Sequence, residues 1–207
     1  MRHAFAFGLM LMCVAGPLLA ETSKKPSPNA LIEFKRHLAD KAPCTSARKK
    51  WMRHYAPYTR QLRTTNGRGR LLFNSVLTKM HAAGLPSEYA LIPFVESHYV
   101  PSARSALGPA GLWQFTARTA RHHGLKVGGK QDERMNPNRS TDAAIKYLRY
   151  LHRKFKGHTE SVLMAFNAGE GRLIASRRKH GRKLSGITHV YPDKVTAISC
   201  NVLQQTR

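Results

Sequence analysis

Residues 85–115 read LPSEYALIPFVESHYVPSARSALGPAGLWQF. Tyr89, Ala90, Leu91, Ile92, Phe94 and Val95 form an apolar run that leads into Glu96. The run predicts a helix capped by Ser87. Pro93 lacks a backbone donor and predicts a kink or an end to that helix near Glu96. Residues 97–112, with Pro101, Gly108, Pro109 and Gly111, predict a loop. One carboxyl therefore stands where an apolar helix meets a Gly/Pro-rich loop. Apolar surroundings disfavour its charged form and raise its pKa, which suits a general acid. From position alone, a solvated glutamate at a helix end is the simpler reading.

The loop adds weight to the chemical reading. Gly108 and Gly111 permit close approach of a ligand to the backbone. Trp113 offers a flat apolar face, and Gln114 both a donor and an acceptor. Sugar recognition needs that mixture, although a core tryptophan in a tight turn explains Trp113 equally well alone.

Helical spacing predicts the elements on either side. Leu31, Phe34 and Leu38 share a face within helical pieces over 30–64, and Leu72, Val76 and Met80 mark a helix over 69–83 closed by Gly84. A short helix over 116–123 stops at Gly124. The longest runs over 141–156, with Ser140 or Thr141 as cap, Ala144, Leu148, Leu151 and Phe155 on one face, and Gly157 at its end. An apolar helix over 159–166 breaks at Asn167-Ala168-Gly169, a segment that reads as a ligand loop or as a plain helix cap. A final helix spans 193–205. No segment alternates cleanly with period two, so the fold class is mostly α with little or no β-sheet.

The first twenty residues resemble a secretory leader: Arg2 and His3, an apolar stretch from Ala4 to Gly16, and a small residue at Ala20 where cleavage is expected. The expected division is a signal peptide over 1–20, a basic, partly helical N-terminal extension over 21–68, and a catalytic domain over 69–207. No window reaches the roughly 18 apolar residues of a membrane-spanning helix. The formal charge is +24, and removing Arg2 with the acid-free leader leaves +23. Such a field attracts polyanions: nucleic acid, anionic lipid or a carboxylate-bearing cell wall. Export argues against nucleic acid as a specific partner and points to the periplasm or cell envelope. It also makes a disulfide between Cys44 and Cys200 the favoured reading over two unpaired buried thiols. The eleven histidines form no zinc-type pattern with cysteines or acids, so neither a metal nor another cofactor is expected.

Four motifs then occur in order: the stretch 85–115, DERMNPNRST at 132–141, AAIKYL at 143–148 and AFNAGEGR at 165–172. Together they resemble the lytic transglycosylase (SLT) catalytic domain of the lysozyme-like superfamily, most like the membrane-bound lytic murein transglycosylase D type. The resemblance covers roughly residues 69–200. It implies a lysozyme-like helical domain that cleaves the β-1,4 bond between N-acetylmuramic acid and N-acetylglucosamine and leaves 1,6-anhydromuramoyl ends. It implies that Glu96 is the acid/base, that Ser97 follows it as in the family, and that Ser105 helps to hold the muramoyl unit. Gly111, Leu112, Trp113 and Gln114 match the stretch lining the glycan groove. Phe166, Asn167, Ala168 and Gly169 match the Tyr-Asn-Ala-Gly motif, and Tyr191 matches the start of the family's last helix. Three positions depart: Phe166 replaces the usual tyrosine, Ile187 replaces a glutamate, and Asp193 replaces a proline. The rival readings are a goose-type lysozyme-like hydrolase, a non-catalytic peptidoglycan-binding protein, and a charge-driven binder of nucleic acid or anionic surfaces. A wall-cutting chain of this size also suits service to an envelope-spanning secretion or conjugation assembly.

Overall fold

The computed structural model describes residues 30–205; the expected leader and the polar segment 21–29 lie outside them. Eleven α-helices, three short 3-10 helices and one short hairpin make up the regular structure of the described residues. In chain order the helices are α1 (Ala30–Arg36), α2 (Pro43–Ser46), α3 (Lys49–Thr59), α4 (Arg68–Ala82), α5 (Ile92–Ser97), α6 (Ala117–His122), α7 (Pro137–Lys154), α8 (Thr159–Ala168), α9 (Glu170–Ser176), α10 (Gly186–His189) and α11 (Tyr191–Leu203). Strands β1 (Val127–Gly128) and β2 (Gln131–Asp132) pair antiparallel between α6 and α7. The fold is mostly α, as its sequence periodicity implies.

Three helix starts differ from the sequence expectation, each at a proline; α11 begins at Tyr191, two residues early, with Pro192 in its first turn. The run over 87–97 is not one kinked helix: Ser87–Leu91 forms a 3-10 turn, and α5 begins at Ile92 with Pro93 in its first turn. Proline is tolerated there because first-turn N–H groups have no partner within the helix. Ser87 caps nothing; its hydroxyl meets the His81 ring at 2.9 Å. Helix α7 begins four residues before Thr141, at Pro137. The Asn136 side chain accepts from the N–H groups of Asn138 and Arg139, each at 3.0 Å. Helix α8 also runs on through Asn167 and Ala168, ending at Gly169, whose φ is +88°.

One hydrophobic core joins the N-terminal helices to the rest. It holds Phe34, Leu38, Tyr55 and Leu62 together with Phe73, Met80, Ile92, Phe94, Leu148 and Ile198. Polar contacts fasten the same segments. Glu88, buried, accepts the backbone N–H groups of Ala39 and Asp40 at 3.1 and 2.9 Å. Asn201 donates to the Met52 carbonyl at 2.8 Å. Cys44 on α2 and Cys200 on α11 are bonded, 156 residues apart in sequence. Helix α11 packs chiefly on α3 and also touches α2, α5 and α8, which brings its first residue to Glu96. Among the described residues no helix is long and apolar enough to cross a membrane.

Candidate active site

A cleft of about 710 Å³ opens beside the end of α5. Glu96 lines it, with Ser105 and Gln114 from the following loop, Trp113 and Phe115 from its turn, and Phe166 to Gly169 from the end of α8. Among the described residues, Glu96 is the only acid in the lining.

Local structure explains how Glu96 is held. Immediately after Ser97 the chain reverses through two left-handed residues, His98 at φ 51° and Tyr99 at φ 66°. Side chains other than glycine rarely adopt that region, so the surroundings must hold them there. The His98 ring stacks on Tyr58 of α3 at 3.7 Å between centroids, and the buried Tyr99 hydroxyl donates to the Ala90 carbonyl at 2.9 Å. Ser97 is buried and donates to the Leu112 carbonyl at 2.8 Å. It fastens α5 to the loop rather than facing the cleft.

The loop over 101–116 is a built object. Gly111 donates its N–H to the Ala103 carbonyl at 2.8 Å, and Gln114 donates from Nε2 to the carbonyls of Ala103 and Gly111. Arg134, buried, donates to the carbonyls of Gly108 and Phe115 at 2.8 and 3.0 Å and pairs with Asp132 at 2.8 Å. Trp113 is almost wholly buried and donates from Nε1 to Thr141 at 3.1 Å. Its ring meets Phe166 edge-on, and Phe166 in turn contacts Phe115 and Tyr147. These rings form an apolar floor. Leu112 and Gly111 lie behind it, buried.

Glu96 accepts a 2.6 Å hydrogen bond from the Tyr191 hydroxyl at the start of α11. Burial pushes the Glu96 carboxyl up to about 7, against the lowering influence of that hydrogen bond and of the Lys194 charge. Burial, and then the negative charge of Glu96, push Tyr55 up to about 12 and Tyr191 well above the usual phenol range. Both phenols therefore stay protonated, so Tyr191 donates and Glu96 accepts. On the far side of the cleft, Asn167 accepts from Thr188 of α10 at 2.9 Å. Ile187, the neighbour of Thr188, is exposed.

Of the sites expected from sequence, Glu96, Ser105, Trp113, Gln114, Phe166, Asn167, Ala168 and Gly169 share the cleft. Tyr191 reaches it through Glu96, whereas Ser97, Gly111 and Leu112 support it from behind. The sequence reading gave no role to Arg118, Thr119, Tyr147 and Arg172, which also line it. Tyr147 and Arg172 had a signal, as they lie in the 143–148 and 165–172 motifs; Arg118 and Thr119 lie in none of the four motifs.

The chain is 45% identical over 83 residues to peptidoglycan transglycosylase gp16 of Escherichia phage T7, covering 40% of this chain and 6% of that one. It is 38% identical over 90 residues to membrane-bound lytic murein transglycosylase D of Escherichia coli (strain K12), covering 44% and 20%. A protein of Alteromonas sp. (strain M-1) named for tributyltin chloride resistance is 35% identical over 99 residues, 48% of each chain. The chain thus spans less than half the length of these relatives. A solved lytic transglycosylase Slt from Pseudomonas aeruginosa aligns at 22% identity over 63% of this chain and 22% of that one, with a TM-score of 0.42. A family model described as the transglycosylase SLT domain matches residues 78–186. That match takes in Glu96, the loop, the aromatic floor and the end of α8, and since it covers more than half of the chain, the chain belongs to the transglycosylase SLT domain family.

Proposed function

We propose that the chain is a peptidoglycan lytic transglycosylase acting in the cell envelope, with Glu96 as its sole catalytic carboxylate. The observation that carries the reading is a lone carboxyl in the cleft, raised by burial to about 7 and hydrogen-bonded by Tyr191. Most glycosidases divide acid and base or nucleophile between two carboxylates. One suffices when the substrate supplies its own nucleophile. Protonated Glu96 gives its proton to the oxygen that links C1 of N-acetylmuramic acid to C4 of N-acetylglucosamine, and the C1–O bond breaks. The carbonyl oxygen of the muramoyl N-acetyl group shields the positive C1. The Glu96 carboxylate then takes the proton of the C6 hydroxyl as O6 bonds to C1. Glu96 ends protonated, the sugar carries a 1,6-anhydro ring, and no water is consumed.

The other residues follow from this reading. Ser105 and Gln114 offer polar contacts to the muramoyl unit, and the Trp113 and Phe166 rings offer apolar surface to the sugars. Phe166 has no hydroxyl to lend to Glu96 or the sugar, and Tyr191 supplies the phenol contact to Glu96 instead. Residues 1–20 act as the leader that exports the chain, residues 21–68 as a basic extension, and residues 69–207 as the catalytic domain. Service to an envelope-spanning assembly fits the strong positive charge.

The test is to express the full chain, purify it after export, and incubate it with peptidoglycan sacculi beside Glu96→Gln. Mass spectrometry should find anhydromuramoyl ends from the wild type alone, and an N-terminus at Glu21. Reducing ends would instead mean hydrolysis of the goose-type lysozyme kind. No release from a folded protein that still binds sacculi would mean a binding module in which Phe166 and Ile187 mark lost catalysis.

A further inference from the structure

A second cavity, of about 670 Å³, adjoins the cleft and shares Arg118, Thr119 and Tyr147 with it. Its own walls add His122, His123, Lys146, Tyr150 and Glu170. The Lys146 ammonium lies over Gly124 at the end of α6. Among the described residues, none of the ion pairs uses Arg118 or Lys146. Glu170, the one acid among the described residues of the lining, accepts from the hydroxyls of Tyr147 and Tyr150 at 3.3 and 3.4 Å. Among the described residues the cavity therefore offers two cations without ion-pair partners, a single carboxylate, and two tyrosines whose hydroxyls donate to it.

We propose that this cavity is a subsite for the peptide stem of the substrate, taking a stem carboxylate on Lys146 and Arg118 and a free side-chain amine on Glu170. The inference rests on the cleft binding peptidoglycan as proposed above. A muramoyl unit carries its peptide on the lactyl group at C3, so a stem leaves the glycan strand sideways. A pocket opening off the side of the cleft meets it there. Stem peptides carry carboxylates, and those built with a diamino acid carry an amine as well. Charge-assisted hydrogen bonds to both ends give the spacing a geometric meaning that a plain basic patch lacks.

Lys146 and Glu170 line only the second cavity, and Lys146 is exposed, so substituting it leaves the fold and the Glu96 cleft intact. Two measurements test the proposal. In the first, a soluble stem peptide containing a diamino acid is titrated into the full chain. Lys146→Ala should weaken binding about tenfold and Lys146→Arg should largely restore it. Glu170→Gln should weaken binding of that peptide but not of one whose side-chain amine is acetylated. Binding indifferent to Lys146 overturns the proposal. In the second, cleavage is compared on stem-bearing glycan and on glycan stripped of stems by an amidase. Lys146→Ala should lower kcat/KM about tenfold on the first and leave the second unchanged; an equal effect on both overturns the proposal. If neither glycan is cleaved while stem binding still depends on Lys146, the subsite stands and the transglycosylase reading falls.

Discussion

Glu96 and Tyr191 form the contact on which the site turns, 95 residues apart in sequence and 2.6 Å apart in space. Because burial raises Glu96 from 4.5 to about 7, the folded chain keeps a proton in that window that the unfolded chain has released. Stability from this group therefore falls as pH rises from about 4.5 to 7 and stays lost above it. Glu96→Gln removes the penalty. It should be more stable than the wild type by roughly 2–3 kcal/mol at pH 8 and equally stable at pH 4, as read by denaturant unfolding at both values. A difference independent of pH would contradict the assignment. Tyr191→Phe removes an interaction that holds the carboxyl down, so the alkaline limb of the pH–rate profile on sacculi should move to higher pH. The maximal rate should fall about tenfold. Glu96 was legible because acids are scarce and this one ends an apolar run. Tyr191 was marked only by the resemblance, because helical spacing tells that a tyrosine is buried and not where its hydroxyl points. Tyr55 and Tyr147 went unassigned for the same reason.

The elements that frame the site carry their own signals at their ends. Helix α7 was misplaced by four residues because its first turn, Pro137 to Ser140, holds no apolar residue that repeats with the rest. Asn136-Pro137 is nevertheless a start signal, with a side-chain acceptor followed by a residue that has no N–H to satisfy. Pro93 in α5 follows the same rule: the helix ends at Ser97, beside Glu96 as expected, but the proline sits in its first turn and starts it instead of breaking it. The loop over 101–116 was legible as a loop, but its rigidity was not, since the clamp comes from Arg134 beyond it. Gly111 shows the consequence. Its φ is +79°, and a Cβ there would collide with the Arg134 backbone carbonyl. Gly111→Ala should cost about 2–4 kcal/mol in denaturant unfolding. Gly108→Ala, at φ +98° with open space around it, should cost only about 1 kcal/mol. Equal costs would mean that backbone strain alone, and not the approach of Arg134, decides the position.

Across the whole molecule, the N-terminal helices and the rest share one core, and the Cys44–Cys200 bond closes a loop of most of the chain. Cys44 is exposed to reductant while Cys200 is buried. Reduction, or Cys44→Ser, should lower stability by about 2–4 kcal/mol, read as a fall in Tm with and without reductant. An unchanged Tm would mean that the shared core alone holds these helices. Sequence pattern conveyed the helical class and the two cysteines, but not how firmly residues 30–62 join the rest, since Glu88 and Asn201 act across long separations. Helix α11 gathers these threads. Within thirteen residues it gives Tyr191 to Glu96, Cys200 to Cys44 and Asn201 to Met52. A chain emerging from its N-terminus thus exposes Glu96 and an unpaired Cys44 long before anything can finish either. Tyr191 and Cys200 follow the partners they complete by 95 and 156 residues, so the acid site and its covalent staple both depend on one helix joining the fold.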